Sequence, residues 1–332
     1  MSRWHSLLIS LVFSYAVAVG AQSCPPRPVI VDVLDEHGLP VTNLTTPNFK
    51  TSHDGRPLNV SSASFRADPT VRTVILLGDE VLGKIGNSAV LQFLSTASPQ
   101  APISLFTFFT SIEQKFNSSA GRQPMVNWLN EPANQPSRKG FSDLAPVLLT
   151  IIKAMQPAHP GDAIYVIAGN IDHLFLEPRT KEVSAELPDL ARELQTSGIR
   201  LFVFVLEKLP RRAWDVIQPD NNMLTIPQTP KGTAAVWDLV KASGGLVLDW
   251  YPGTRSVSFG PSYQFDAPTQ AAIRESARGF QNAINNFYVL SLDPAGPSSA
   301  LEDWNLEVVD LQGKKLKGTT VSYPAKIPAC GP

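Results

Sequence analysis

Three short stretches of this chain carry side chains with the means to do chemistry: Asp79-Glu80, Ser142-Asp143 and Asp172-His173. In a parallel sheet, loops that follow successive strands gather at one end, so these carboxylates, a hydroxyl and an imidazole would meet on a common rim. Two chemistries suit such a set. A hard divalent cation, Mg²⁺ or Mn²⁺, takes oxygen ligands in a roughly octahedral array, and a Ser, His and Asp trio can hydrolyse an ester or amide. Each residue also has a plainer reading. Ser142 suits an ordinary helix N-cap, the carboxylates suit solvated loops, and adjacent Asp and His side chains rarely orient one another as a triad requires. The chain has no Gly-x-Ser-x-Gly elbow, phosphate-binding loop, His-Glu-x-x-His or Cys-x-x-Cys motif, so the expectation is a protein that is not an enzyme.

Composition narrows the classes further. The 332 residues are 43% hydrophobic and 17% charged, with 28 basic and 29 acidic side chains and a formal net charge of -1. A near-neutral chain has no field with which to concentrate nucleic acid, so that partner class is set aside. The 29 prolines and 21 glycines favour a loop-rich α/β or β protein over a helical bundle. Residues 1–21 carry Arg3, an uncharged run and the small residues Gly20 and Ala21, the pattern of a secretory leader cleaved near Ala21. That run is too short to span a bilayer. The expected location is therefore secreted, periplasmic or cell-envelope, with no transmembrane segment after cleavage. Two cysteines remain, Cys24 and Cys330, near opposite ends of the chain. An oxidising compartment invites a disulfide between them, and two free thiols on frayed tails is the alternative.

The elements that must position the rim are legible as periodicity. Residues 28–65 alternate short β segments with turns at Asp35-Glu36-His37-Gly38 and Asp54-Gly55, which predicts a small antiparallel sheet. Apolar runs follow at 73–77, 103–109, 163–167, 201–206 and 246–248, the mark of a central, mainly parallel sheet covered on both faces. Helix-period stripes lie between them, among them Val90, Phe93, Leu94 and Ala97, and Leu187, Leu190, Ala191 and Leu194 ended by Gly198. After a Gly/Pro/Ser-rich stretch comes one more helix, with Ile273, Ala277, Phe280, Ile284 and Phe287 on one face, and then alternating strands. The fold class is α/β, an open doubly wound sheet.

Residues 29–44, Asn48-Phe49 and His53-Asp54-Gly55-Arg56-Pro57 resemble the opening module of secreted bacterial proteins of the acidobacterial type that carry a VWFA-related domain. The helix running into Tyr288-Val289-Leu290-Ser291-Leu292-Asp293-Pro294 is similar to that family's closing module, and Ala242-Ser243-Gly244-Gly245 to the segment before the last strand of its von Willebrand factor type A domain. The resemblance implies a type A-like domain inserted into a small β-sandwich-like module built from both ends of the chain. It also implies that Cys24 and Cys330 sit on neighbouring pieces of one sheet and are bonded. The organisation then runs as leader 1–21, β module 22–68, type A-like domain 69–252, linker 253–268, and helix plus β module 269–332.

The same resemblance implies where a metal would bind. The family's metal ion-dependent adhesion site uses Asp-x-Ser-x-Ser in a first loop, Thr in a second and Asp in a third. Here Asp79 is followed by Val81 and Gly83 where hydroxyls belong, or in the earlier register Gly78 replaces the Asp itself. Ser142 keeps a hydroxyl in the second loop, and Ala168 stands where the third loop's acid belongs. The expectation is a degenerate site at Gly78, Asp79, Ser142 and Ala168, with no cofactor. Mg or Mn on the non-standard set Asp79, Glu80, Ser142, Asp143, Asp172 and His173 is the alternative. The expected function is recognition of an unidentified protein or peptide partner without metal. A structural envelope or extracellular-matrix component is one alternative, and a hydrolase or metal-dependent adhesin with a non-standard rim site is another.

Overall fold

The computed structural model describes residues 26–81, 85–108, 112–131, 143–169, 174–175, 183–205, 231–249, 267–293, 301–302 and 304–327. The chain opens with β1 (Arg27–Leu34), then a 3-10 turn at Thr46–Asn48, β2 (Phe49–His53), β3 (Arg56–Leu58) and β4 (Val60–Ala67). The turn between β2 and β3 is built as the Asp-Gly pair predicts, with Asp54 at φ 49° and Gly55 at φ 72°. The middle of the chain supplies β5 (Thr73–Gly78), α1 (Ile85–Thr96), β6 (Ile103–Phe108), β7 (Ile112–Phe116), α2 (Arg122–Asn130), α3 (Ala145–Ala154), β8 (Ala163–Ala168), α4 (Leu187–Ser197), β9 (Arg200–Val205), α5 (Lys231–Ser243) and β10 (Val247–Asp249). The last part holds α6 (Ala267–Asn285), β11 (Asn286–Leu292), β12 (Leu301–Glu302), β13 (Asn305–Val308), β14 (Thr320–Ser322) and β15 (Lys326–Ile327).

Six strands form the central sheet in the order β10-β9-β8-β5-β6-β7, parallel throughout except for the antiparallel edge strand β7. Every residue of β5, β8 and β9 is buried, which is why their sequences read as unbroken apolar runs. Alternation splits their side chains between two cores. Ile75, Leu77, Tyr165, Ile167, Phe202 and Phe204 face α1, α2 and α6, while Leu76, Val166, Leu201 and Val203 face α3, α4 and α5. This is the doubly wound α/β arrangement expected from the sequence.

A second pair of sheets stands beside it. The order β14-β1-β11-β4 makes one, and β13-β2-β3 the other. Val31, Val33, Phe49, Leu58, Tyr288, Leu290, Leu306 and Val308 from both sheets share a third core, so the module is sandwich-like and built from the two ends of the described chain. The pairing of β1 with β11 and of β2 with β13 puts the central α/β unit inside the module's sequence. One grouping made from the sequence needs correction. Helix α6, assigned there to the β module, packs on α1 and on the central sheet through Ile273, Ala277, Phe280 and Ile284, because its apolar stripe fits that face. It then runs without a break into β11 and so ties the two units together. Cys24, Cys330 and the leader lie outside the described residues, as does the linker up to residue 266. Among the described residues no helix is long and apolar enough to cross a membrane.

Candidate functional site

The rim at the carboxyl ends of the central strands is where the sequence put its chemistry. Gly78 ends β5, buried, with its backbone paired to Phe108 of β6. Asp79 opens a 3-10 turn at Asp79–Val81, and its half-buried side chain is engaged within the protein. Glu80 lies in the same turn. Ala168 ends β8, fully buried, opposite Val205 of β9. Neither Gly78 nor Ala168 carries a side-chain oxygen, so neither can ligate a hard cation through its side chain.

Asp143 is the rim carboxylate whose use is plain. Its Oδ1 accepts the Ala145 N–H at 3.0 Å and its Oδ2 accepts the Ser184 hydroxyl at 2.8 Å. The backbone of Asp143 bridges Phe175, Leu144 N–H donates to the Leu174 carbonyl at 2.8 Å, and Ser184 N–H donates to the Phe175 carbonyl at 2.9 Å. The side chain thus ties the first turn of α3 to Ser184, and the backbone beside it pairs with Leu174 and Phe175. Ser142, Asp172 and His173 lie outside the described residues. Among the described residues no group of three or more His, Cys, Asp or Glu is placed to hold a metal ion.

The charged centre of the molecule lies elsewhere, on the seam between the two units. Alternation along β1 turns Val29, Val31 and Val33 into the sandwich core and leaves Asp32 facing the other way, beside Leu34 of the central-sheet core. Alternation along β9 likewise puts Arg200 on the face of Phe202 and Phe204, against α6. The two meet, both 1% exposed, with Arg200 Nη1 donating to Asp32 Oδ1 at 2.6 Å. The guanidinium also donates to the carbonyls of Ala283 at 2.9 Å, Ile284 at 2.7 Å and Gly161 at 3.1 Å, so it caps the carboxyl end of α6 where the helix dipole favours a cation. The Phe287 ring centroid lies 4.8 Å from it and that of Phe202 5.2 Å. Burial pushes the Asp32 carboxyl up to about 7, against the opposing pull of Arg200. Burial lowers the Arg200 value from its ordinary range, and the carboxylates of Asp32 and Asp162 resist that.

The seam continues through the Ser243-Gly244-Gly245 segment. Ser243 Oγ accepts the Leu201 N–H at 2.9 Å and donates to the Val240 carbonyl at 2.9 Å. Ser322 of β14 donates to the Gly244 carbonyl at 2.9 Å and also to that of Gly245. A Cβ on Gly245 would fall 1.8 Å from the Leu201 carbonyl oxygen, and one on Gly244, at φ 73°, 2.7 Å from Pro324. Glycine is required at 245 by the close approach of β9 and at 244 by that of the β module and by its positive φ. A crevice of about 80 Å³ lies on this seam, bordered by Pro28, Ile30, Arg200, Ser243 and Ile327, too small for a drug-sized ligand.

Sequence reasoning did not single out Asp32 or Arg200. The signal was present in each case as a charge inside or against an apolar run that ought to be buried on both faces. Its partner could not be read, since 168 positions separate the two residues.

The fold defines the class: a mixed α/β protein whose central, mainly parallel sheet is held beside a two-sheet β module. No protein-family profile matches the chain, and no curated protein matches its sequence. Among solved structures it is similar to a von Willebrand factor type A protein from Catenulispora acidiphila, at TM-score 0.40 and 8% identity over 92% of this chain and 74% of that one. It is similar also to an aerotolerance-related membrane protein from Bacteroides fragilis, at TM-score 0.37 and 11% identity over 65% of this chain and 98% of that one. A third is the manganese-loaded TRAP protein of Plasmodium vivax, at TM-score 0.37 and 11% identity over 79% and 95%.

Proposed function

We propose that this chain is a secreted, non-catalytic module of the bacterial VWFA-related type that recognises a protein or peptide partner without a metal at its strand ends. One observation carries the reading: the ends of β5 and β8 hold Gly78 and Ala168, and the carboxylate of Asp143 is engaged by the Ala145 N–H and the Ser184 hydroxyl. Strand ends without those side-chain oxygens favour recognition by loops, hydrogen bonds and sheet edges over metal coordination.

The test is covalent crosslinking of the protein in its native envelope, with and without a chelator, followed by identification of what is captured. The same partner recovered in both arms is expected. Loss of that partner in chelator would overturn metal independence, and capture no greater than that of an unrelated secreted control would overturn recognition. The second reading, a structural envelope component, draws on the sparseness of exposed apolar surface. Among the described residues only Leu39 and Leu311 are large exposed hydrophobics, at 43% and 78%, and both sit on turns of the β module.

A further inference from the structure

An unpaired sheet edge is a row of free N–H and C=O groups, and proteins blunt such edges with proline, charge or brevity. Most edges of this molecule follow that rule. β3 holds Pro57 and Arg56, β7 holds Glu113 and Lys115, β13 holds Glu307, and β10 and β14 are three residues each. β4 does not. It is an eight-residue edge strand, Val-Ser-Ser-Ala-Ser-Phe-Arg-Ala, with no proline, one charge, and a bulge confined to its start between Val60 and Ser62. One side pairs with β11 from Ala67 opposite Asn286 to Ser62 opposite Ser291. Its other side has no backbone partner among the described residues. Ser61, Ser62, Ser64, Arg66 and Ala67 are exposed.

We infer that β4 is a self-pairing edge, through which two copies of this chain join their four-stranded sheets antiparallel about a two-fold axis at Ser64. The pattern of the strand favours its own copy as the occupant. Ala63 and Phe65 point to the sandwich core and are only half-buried there, the Phe65 ring lying 5.2 Å from that of Tyr288. A strand laid alongside would finish their burial. An axis through Ser64 centres the pairing on the regular part of the strand, Ser62 to Arg66, and keeps the apolar side chains of both copies on one face. In that register Ala63 faces the second copy's Phe65, small against large, and Ser62 faces the second copy's Arg66. The two arginines then stand four residues apart along the joined strands, roughly 13 Å at strand rise, so the only charges on the edge avoid each other.

The register makes a sharp test with the full chain. Residues directly opposite on antiparallel strands have Cα atoms about 4.5–5.5 Å apart, within disulfide range. Ser64→Cys is expected to form a disulfide-linked dimer readily on a non-reducing gel, whereas Ser62→Cys, whose own counterpart is far away, is not. The unmodified protein is expected to sediment as a monomer–dimer equilibrium below roughly 100 µM, and Ser64→Lys to weaken that dimer at least about tenfold. Mixing Ser64→Lys with Ser64→Glu should restore it as a heterodimer, which also shows that both variants fold. A monomer at all concentrations, equal crosslinking of the two cysteine variants, or no recovery on mixing would each overturn the inference.

Discussion

The strand-end rim and the seam between the two units have exchanged the roles their residues suggest. At the rim, loops that look built for chemistry carry Gly78 and Ala168, and the carboxylate of Asp143 is spent on holding backbone. At the seam, where apolar packing would serve, Arg200 and Asp32 are buried together with several backbone carbonyls around them. The lesson concerns tolerance. A solvent-facing loop can lose a ligand at little cost to folding, but a buried charge once introduced must keep its partner. The charged residues that matter to this fold are therefore on the inside of the junction.

The sharpest way to break this comparison is to remove one side of the seam pair. Arg200→Ala is expected to cost about 3–5 kcal/mol in denaturant unfolding by stranding a buried carboxylate. Its pH arm uses Asp32, whose value rises from an ordinary 3.8 to about 7 in the folded protein. A group with a raised folded value binds its proton more tightly when folded. Its stabilising contribution is thus present below about pH 4 and is lost as pH climbs toward 7. Asp32→Asn should remove that part of the stability–pH profile, and an unchanged slope between pH 4 and 7 would show that Asp32 is not its source.

Gly245→Ala comes next, expected to lose about 1–3 kcal/mol through overpacking against the Leu201 carbonyl. At the rim, Asp143→Ala is expected to cost about 1–2 kcal/mol, the worth of a cap and a side-chain hydrogen bond, and to leave any metal response unaltered. Tyr165→Phe should change the sign. The Tyr165 hydroxyl is fully buried beside Phe93 and Phe280 with no hydrogen-bond partner, so its removal is expected to leave stability equal or raise it by about 1 kcal/mol. The smallest effect sharpens the comparison most. Adding Mg²⁺ or Mn²⁺ up to millimolar should leave the thermal midpoint in place, while a saturable rise would restore the rim as a metal site.

Much of the fold was legible because it rests on local pattern. The apolar runs at 73–77, 163–167 and 201–206 lie within β5, β8 and β9 but for the last residue of the third, and Asp54-Gly55 makes the β2–β3 turn. The antiparallel edge β7 escaped notice, since Ile-Glu-Gln-Lys-Phe is polar enough to pass for a loop, and an edge strand needs only one side paired. The stripe on α6 was legible while the sheet it covers was not, because a helical period states that a face is apolar and leaves open what will bury it. At the candidate site, the missing oxygens of Gly78 and Ala168 were plain from residue type alone, but the use of Asp143 as a clamp depended on Ser184, 41 residues away.

The sequence by itself determined which segments are strands and helices, which faces are apolar, where the turns fall and which ligand types the rim lacks. These follow from backbone sterics, side-chain period and the chemistry of single residues, all of which act within a few positions. Only the tertiary structure decided that Asp32 meets Arg200, that α6 packs on the central sheet, and that β4 has one side unpaired among the described residues. Those depend on which distant surfaces bury one another, and burial is shared between partners that no local pattern names.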